Sequence, residues 1–319
     1  MLLFALEPQD KFSTALAVAL DVPISPHEDR SFADGECKLR PLVDPRGADA
    51  YVVYSLHGGP ALSPHDKLAR LLMFIATLHD HGAARITAVV PYLAYARKDR
   101  QTKPWDPVTL RYVAQLLEAV GTAQIIVLEV HNVAAFQNAF RCPTLHLEAH
   151  QVFEALASEM ASTGPIAVAS PDPGGVKRAQ LWRESLEQRL QCPIGFAMVE
   201  KRRSAGRVSG GERVAGDVAG ATVLLLDDLI ATGETMQRAA LALRAAGAKE
   251  MVAFAAHGLF IDPAGDVLGG ESMARWVVTD SVPPFRLDPA SPAGRKLQVV
   301  SSVPLFAEAI RKSHCAWRH

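Results

Sequence analysis

The sequence predicts an α/β protein whose mainly parallel sheets are flanked by helices. Short apolar, β-branched runs alternate with amphipathic stretches of helical length from Tyr51 to Thr279. Parallel strands need crossover connections, and strands buried on both faces read as continuous apolar runs, so the alternation fits this class. A weak repeat adds a third observation: helix, Gly-Ala, then strand occurs in HGAARITAVVPY near Gly82 and again in AAGAKEMVAFAA near Gly247. It is consistent with two similar halves, although ordinary helix-to-strand turn chemistry writes the same string.

In chain order, YVVYS from Tyr51 reads as a buried strand, 64–81 as a helix, RITAVVPY from Arg85 as a strand, 107–120 as a helix and QIIVLEV from Gln124 as a strand. The second half reads as PIAVAS from Pro165, a helix over Val176–Leu190, TVLLLDD from Thr222, a helix over 235–246, then MVAFAAH from Met251 and RWVVTD from Arg275. No low-complexity linker divides the halves, so the boundary is set at Cys142-Pro143, giving domains 1–143 and 144–319. The proline-rich stretch 283–292 reads as a surface loop or hairpin that does not continue the core.

A chain of 319 residues, 49% hydrophobic and 21% charged, can bury the core of two ordinary domains. Its net charge of −1 supplies no overall pull toward nucleic acid or an anionic membrane, which favours small-molecule partners. The four cysteines form no CxxC pair, and the opening MLLFALEPQD is too short and lacks the basic flank for a signal peptide. A cytoplasmic protein without a membrane span is expected.

Six segments carry chemistry. In VLLLDDLIATGETM, residues 223–236, an apolar strand runs into Asp227 and Asp228, then a small-residue loop, then a helix. Ligands of open α/β sheets bind at such carboxyl ends. Thr232, Gly233 and Thr235 offer amides and hydroxyls to a phosphate at a helix N-terminus, while the carboxylates can accept from vicinal ribose hydroxyls. Helix capping by Asp228 and a turn at Thr232-Gly233 is the bland alternative. Two acids directly after an apolar run are costly unless they bind something, which favours the ribose phosphate.

SPDPGGVKRA, residues 170–179, also follows a strand: Asp172 is placed to reach a metal, the glycines let backbone approach a ligand, and Lys177 and Arg178 open a helix. A plain turn with a solvated basic pair reads the same string. YARKDR, residues 95–100, offers Arg97, Lys98 and Arg100 around Asp99 to a polyphosphate, or is a solvated charge run. EKRRSAG, residues 200–206, has the basic triplet and small residues that a loop closing on a transferring phosphoryl group needs, or is an exposed loop. FADGE, residues 32–36, sets a glycine between two acids and reads equally as a β-turn. His131, after a strand, is a metal ligand or a structural histidine.

Together and in chain order, FADGE, YARKDR, the strand followed by His131, SPDPGGVKRA, KRR and DDLIATGET resemble the ribose-phosphate pyrophosphokinase family, which has the type I phosphoribosyltransferase fold. The similarity extends to AAHGLF from Ala255, VVTDSVP from Val277 and VPLFAEAIRKSH from Val303. The resemblance implies two phosphoribosyltransferase-like domains, the first binding ATP and the second ribose 5-phosphate, with Mg2+ as cofactor. It implies that Asp34 and Glu36 contact the adenine of ATP and that Arg97, supported by Asp99 and Arg100, holds its phosphates. By the same resemblance His131 and Asp172 ligate magnesium, and Lys201 and Arg203 stabilise the transferring diphosphoryl group. Asp227, Asp228, Ala231, Thr232, Gly233, Glu234 and Thr235 then bind ribose 5-phosphate. The implied protein is a homo-oligomer built from dimers, up to a hexamer.

This chain departs from the family pattern in several places. It has Glu129-Val130-His131 followed by NVAAFQNAF where Asp-Leu-His and a Gly-Gln segment are usual, and Lys98 where Gln is common. Many members carry Asp at the position of Ala231 and a small residue at that of Glu234. A carboxylate at 234 repels a bound phosphate unless it points away or a cation intervenes. The segment RVSGGERVAGDV also lacks the Asn and Met positions associated with control by ADP and phosphate. Two rival readings are a phosphoribosyltransferase that consumes phosphoribosyl pyrophosphate, and a catalytically silent, nucleotide-binding paralogue that regulates an active synthase.

Overall fold

The apolar runs become the central strands of two sheets, one in each of two units: Met1–Glu148 with Ser302–His319, and Ala149–Ser301. The computed structural model describes residues 1–7, 10–200, 203–204, 207–208 and 212–318.

The first unit runs β1 (Leu2–Ala5), α1 (Lys11–Leu20), β2 (His27–Ser31), β3 (Cys37–Pro41), β4 (Asp49–Val53), α2 (Pro64–Asp80), β5 (Arg85–Val90), α3 (Thr109–Ala119), β6 (Gln124–Leu128), α4 (Val133–Ala139) and β7 (Thr144–Leu147). Its main sheet has the order β1-β4-β5-β6-β7 with every pair parallel. Helix α2 shows how local sequence sets an element. Ser63 Oγ accepts from the Asp66 amide at 3.2 Å, the Asp66 carboxylate accepts from the Ser63 amide at 2.8 Å, and Pro64 occupies the first turn. Leu68, Leu71, Phe74, Ile75 and Leu78 then fall on one buried face, each contributing about 1.5–3 kcal/mol. Strands β2 and β3 form a separate antiparallel hairpin, braced by Arg70 of α2, which bonds Asp29 and, at 2.8 Å, Ser31 Oγ.

The second unit runs α5 (His150–Ala161), β8 (Ile166–Ser170), a 3-10 turn at Pro173–Gly175, α6 (Val176–Leu190), β9 (Gly195–Glu200), β10 (Arg203–Ser204), β11 (Arg207–Val208), β12 (Arg213–Gly216), β13 (Thr222–Ile230), α7 (Glu234–Ala245), β14 (Glu250–Gly258), α8 (Ala264–Gly269), β15 (Arg275–Thr279), α9 (Pro292–Lys296) and β16 (Leu297–Val300). Its large sheet has the order β12-β9-β8-β13-β14-β15-β16, parallel except for the β12 edge. From β8 the chain moves outward to β9, then returns to place β13 on the other side of β8. That reversal is a topological switch point, where loops leaving β8 and β13 diverge and open a crevice.

The boundary placed after residue 143 needs correction at both ends. β7 pairs in parallel with β6, so 144–148 complete the first sheet, because the Thr144–Leu147 backbone finds its ladder there. The last helix, α10 (Val303–Arg318), also belongs to the first unit. Phe306 packs edge-on to Phe12 with ring centres 5.2 Å apart, Arg311 donates to the Ala19 carbonyl, and Ser313 Oγ donates to Gln124 Oε1 at 2.6 Å. The stretch 283–292 is irregular as far as Ser291, yet its Leu287 is buried in the second core, so it is anchored rather than peripheral. Among the described residues no helix is long and apolar enough to cross a membrane.

Candidate active site

The paired acids sit inside β13 rather than after it. The β13–β8 ladder ends at Leu225, whereas pairing with β14 continues through Asp227 to Ile230, so Asp227 and Asp228 flank the place where β8 has left the sheet. Asp228 is buried and Asp227 partly so. Arg178, from the first turns of α6, places Nη1 3.7 Å from Asp227 Oδ1 and 3.8 Å from Asp228 Oδ1. Burial, then the charge of Asp228, pushes the Asp227 carboxyl well above its ordinary range, while Arg178 and the Asp228 amide at 2.8 Å pull it back.

The loop after β13 is fixed by its backbone. Ile261 N donates to the Ala231 carbonyl at 3.0 Å, and Gly233 adopts φ +84° at the start of α7. The positive φ favours glycine, and a Cβ at 233 would lie 2.8 Å from Leu268 Cδ1, which would have to shift. Gly233 supplies no side-chain cap, and although the Glu234 amide donates to Thr232 Oγ1 at 3.4 Å, the amides after it are suited to an anion. Thr232 Oγ1 donates to Glu234 Oε2 at 3.2 Å, so the exposed Glu234 carboxylate folds back on the loop rather than pointing away. Thr235 Oγ1 accepts from Arg238 at 3.4 Å.

The loop after β8 meets the same acids through Arg178. Asp172 Oδ1 accepts from Gly174 N at 2.8 Å and Gly175 N at 3.2 Å, and Ser170 Oγ donates to the Asp172 carbonyl at 2.6 Å. A Cβ at Gly175 would stand 2.7 Å from Ser170 Oγ, so a larger residue here would force that hydroxyl to shift. The outcome sets Asp172 in the turn and Arg178 inward, while Lys177 stays exposed. Arg178 is the residue sequence reading underrated; the KR pair was visible, but helix phase decides which member turns in.

In the first unit Arg97, Lys98 and Arg100 are exposed on the loop after β5, and Lys98 Nζ lies 3.3 Å from Asp106 Oδ2. Asp99 Oδ2 accepts from Asn132 Nδ2 at 2.7 Å, which ties this loop to the one after β6, where His131 is exposed. Asp34 and Glu36 are exposed in the β2–β3 turn; Asp34 Oδ1 accepts from Glu36 N at 3.1 Å, and Gly35 has φ +94°. FADGE is thus a β-turn in its backbone, with both carboxylates displayed. Lys201 lies outside the described residues, and Arg203 is described only by its backbone, paired with Val208 in β10–β11.

For magnesium the donors are unequal. Mg2+ prefers oxygen and keeps waters and substrate phosphates, so few protein ligands suffice. Asp172 fits, since its Oδ1 is held by two amides and Oδ2 remains for a cation. The His131 nitrogen is a softer donor, and the described residues contain no group of three His, Cys, Asp or Glu suited to a metal.

Parallel sheets under helices, with paired acids and a glycine-kinked loop at a switch point, define a protein of the phosphoribosyltransferase fold. Residues 1–121 match the N-terminal domain of ribose phosphate pyrophosphokinase, 145–258 the phosphoribosyl transferase domain and 205–317 the phosphoribosyl synthetase-associated domain. The chain is 33% identical to ribose-phosphate pyrophosphokinase of Wolinella succinogenes, covering 95% of this chain and 92% of that one. It belongs to the ribose-phosphate pyrophosphokinase family, a family of transferases. The Caldanaerobacter subterraneus subsp. tengcongensis ribose-phosphate pyrophosphokinase is 34% identical over 95% of this chain and 92% of its own. The crystal structure of phosphoribosylpyrophosphate synthetase from Mycobacterium smegmatis superposes with a TM-score of 0.85 at 33% identity, covering 98% of each chain.

Proposed function

We propose that this chain transfers the β,γ-diphosphoryl group of ATP to the C1 hydroxyl of ribose 5-phosphate, yielding phosphoribosyl pyrophosphate and AMP. The observation that carries the reading is the Asp227-Asp228 pair beside a helix start whose N-cap is Gly233: two acceptors for the ribose hydroxyls next to amides for its phosphate. The ribose O1 attacks the β-phosphorus and gives its hydroxyl proton to solvent, the bond from Pβ to the oxygen bridging the α-phosphorus breaks, and AMP departs with that oxygen. Such transfer depends on positioning and charge neutralisation. Asp227, Asp228 and the loop Ala231, Thr232, Gly233, Glu234 and Thr235 orient the acceptor. Arg97 holds the ATP phosphates, with Asp99 and Arg100 setting that segment, and Asp34 and Glu36 meet the adenine. Lys201 and Arg203 stabilise charge on the transferring group. Asp172 and His131 would hold magnesium, which would supply neutralisation of phosphate charge. The enzyme is taken to be a cytoplasmic homo-oligomer.

One observation favours the silent-paralogue reading: Glu234 occupies a hydroxyl that a phosphate would use. The purified chain incubated with ATP, ribose 5-phosphate and magnesium should form AMP only when all three are present. ATP binding without AMP would replace the synthase with a silent nucleotide-binding subunit. Consumption of phosphoribosyl pyrophosphate with a nitrogenous base would instead identify a phosphoribosyltransferase.

A further inference from the structure

Two loops at the carboxyl ends of neighbouring strands are joined by one side-chain contact that the proposed reaction leaves unexplained. The loop after β5 carries Arg97, Asp99 and Arg100; the loop after β6 carries His131 and Asn132. Asn132 Oδ1 accepts from Ala135 N at 3.1 Å, capping α4, and this fixes which end of the amide is oxygen. Its Nδ2 therefore donates to Asp99 Oδ2, at 2.7 Å, a hydrogen bond to a charged acceptor.

The second loop is held at two further points before His131. Glu129 is buried with φ +36°, an unfavourable region for a side-chain-bearing residue, and its amide donates to the Leu147 carbonyl at 2.9 Å. Val130 N donates to His146 Nε2 at 3.2 Å, which makes that ring nitrogen an acceptor. His131 is thus the exposed residue between anchored neighbours, and the last anchor is the one shared with Asp99.

We propose that Asn132 is a positioning residue that couples the basic loop Arg97–Arg100 to His131, so that the two present their groups to one ATP polyphosphate in a fixed relation. This rests on the synthase reading for the identity of the ligand, but the coupling stands on its own geometry. A site is productive only when its groups are held to within about 0.5 Å by supporting contacts, and Asn132 is such a support for both loops at once. Neither Ser nor Asp reproduces it. Both can still cap α4, but Ser is too short to reach Asp99, and Asp sets a second carboxylate against it.

The test uses the full-length chain, with Asn132→Ser, Asn132→Asp and the exchange Asp99→Asn with Asn132→Asp. Thermal melts, AMP formation and calorimetric titration with a non-hydrolysable ATP analogue plus magnesium are measured for each. Both single variants should melt within a few degrees of wild type because the cap is kept. Asn132→Asp should bind the analogue about 10-fold more weakly and turn over about 10- to 100-fold more slowly, with KM for ribose 5-phosphate unchanged. The exchange variant, with donor and acceptor reversed, should regain most of the analogue affinity. Unchanged analogue affinity in Asn132→Asp, or a loss that the exchange leaves in place, overturns the proposal. If wild type forms no AMP, the synthase reading fails while the calorimetric arm still decides the coupling.

Discussion

His314 Nδ1 lies 2.6 Å from Asp49 Oδ2, joining the last helix to the first residue of β4. The Asp49 side chain is fully buried, and Arg85 also bonds it through two nitrogens at 2.7 Å each. A carboxylate accepts only, so Nδ1 is the donor. His314→Ala removes one hydrogen bond to a charged group and should cost about 1.5–3 kcal/mol. Asp49→Ala leaves the Arg85 guanidinium without its partner and should cost about 3–5 kcal/mol. Urea titration orders the two, and equal midpoints for both variants and wild type would remove the network from the account of stability.

Asp227 is a carboxyl whose burial costs stability when it is ionised. Burial and Asp228 raise its folded pKa above the ordinary value of 3.8. Between the two values the folded state retains a proton that the unfolded state has released, so the contribution of this group to stability is fully present below about 3.8 and is lost as pH rises through the raised folded value. Asp227→Asn should raise the melting temperature at pH 7.5 more than at pH 4, while weakening ribose 5-phosphate binding. A gain independent of pH would contradict the burden placed on this carboxylate.

Glu234 supplies an acid to the first turn of α7, worth about 0.3–1 kcal/mol to the helix, and lies where a phosphate would bring negative charge. Glu234→Ala should lower KM for ribose 5-phosphate several-fold and lower the melting temperature slightly. A higher KM would show instead that Glu234 contacts the sugar or recruits a cation.

Lys201 and Arg203 are assigned to the transferring group. Lys201→Ala and Arg203→Ala should each reduce kcat on the order of 100-fold while leaving ATP binding nearly unchanged, as expected for donors that act on the transition state. Pre-steady-state turnover and equilibrium ATP titration separate the two quantities. A matching fall in ATP affinity with intact turnover would reassign them to ground-state binding.

The sequence disclosed central strands built on apolar runs, such as Gln124–Leu128 and Ile166–Ser170, because burial on both faces leaves a continuous signature. It did not disclose β7 and β16, four-residue edge strands of mixed burial whose identity depends on a neighbour distant in the chain. The acids at 227 and 228 were legible from their cost at the end of an apolar run. Arg178 and Asn132 were not, since one depends on the phase of a helix and the other on two strands lying side by side. The return of residues 303–318 to the first unit has no local signal, because an amphipathic helix does not specify which sheet it covers.

That return fixes an order of completion. The chain between residues 149 and 301 leaves the ribosome before the helix that covers Phe12 and satisfies Asp49 has been made. At roughly 5–20 residues per second the wait is on the order of ten seconds. The half translated first is therefore the half finished last, and until that helix emerges the Asp49 carboxylate waits for its His314 partner.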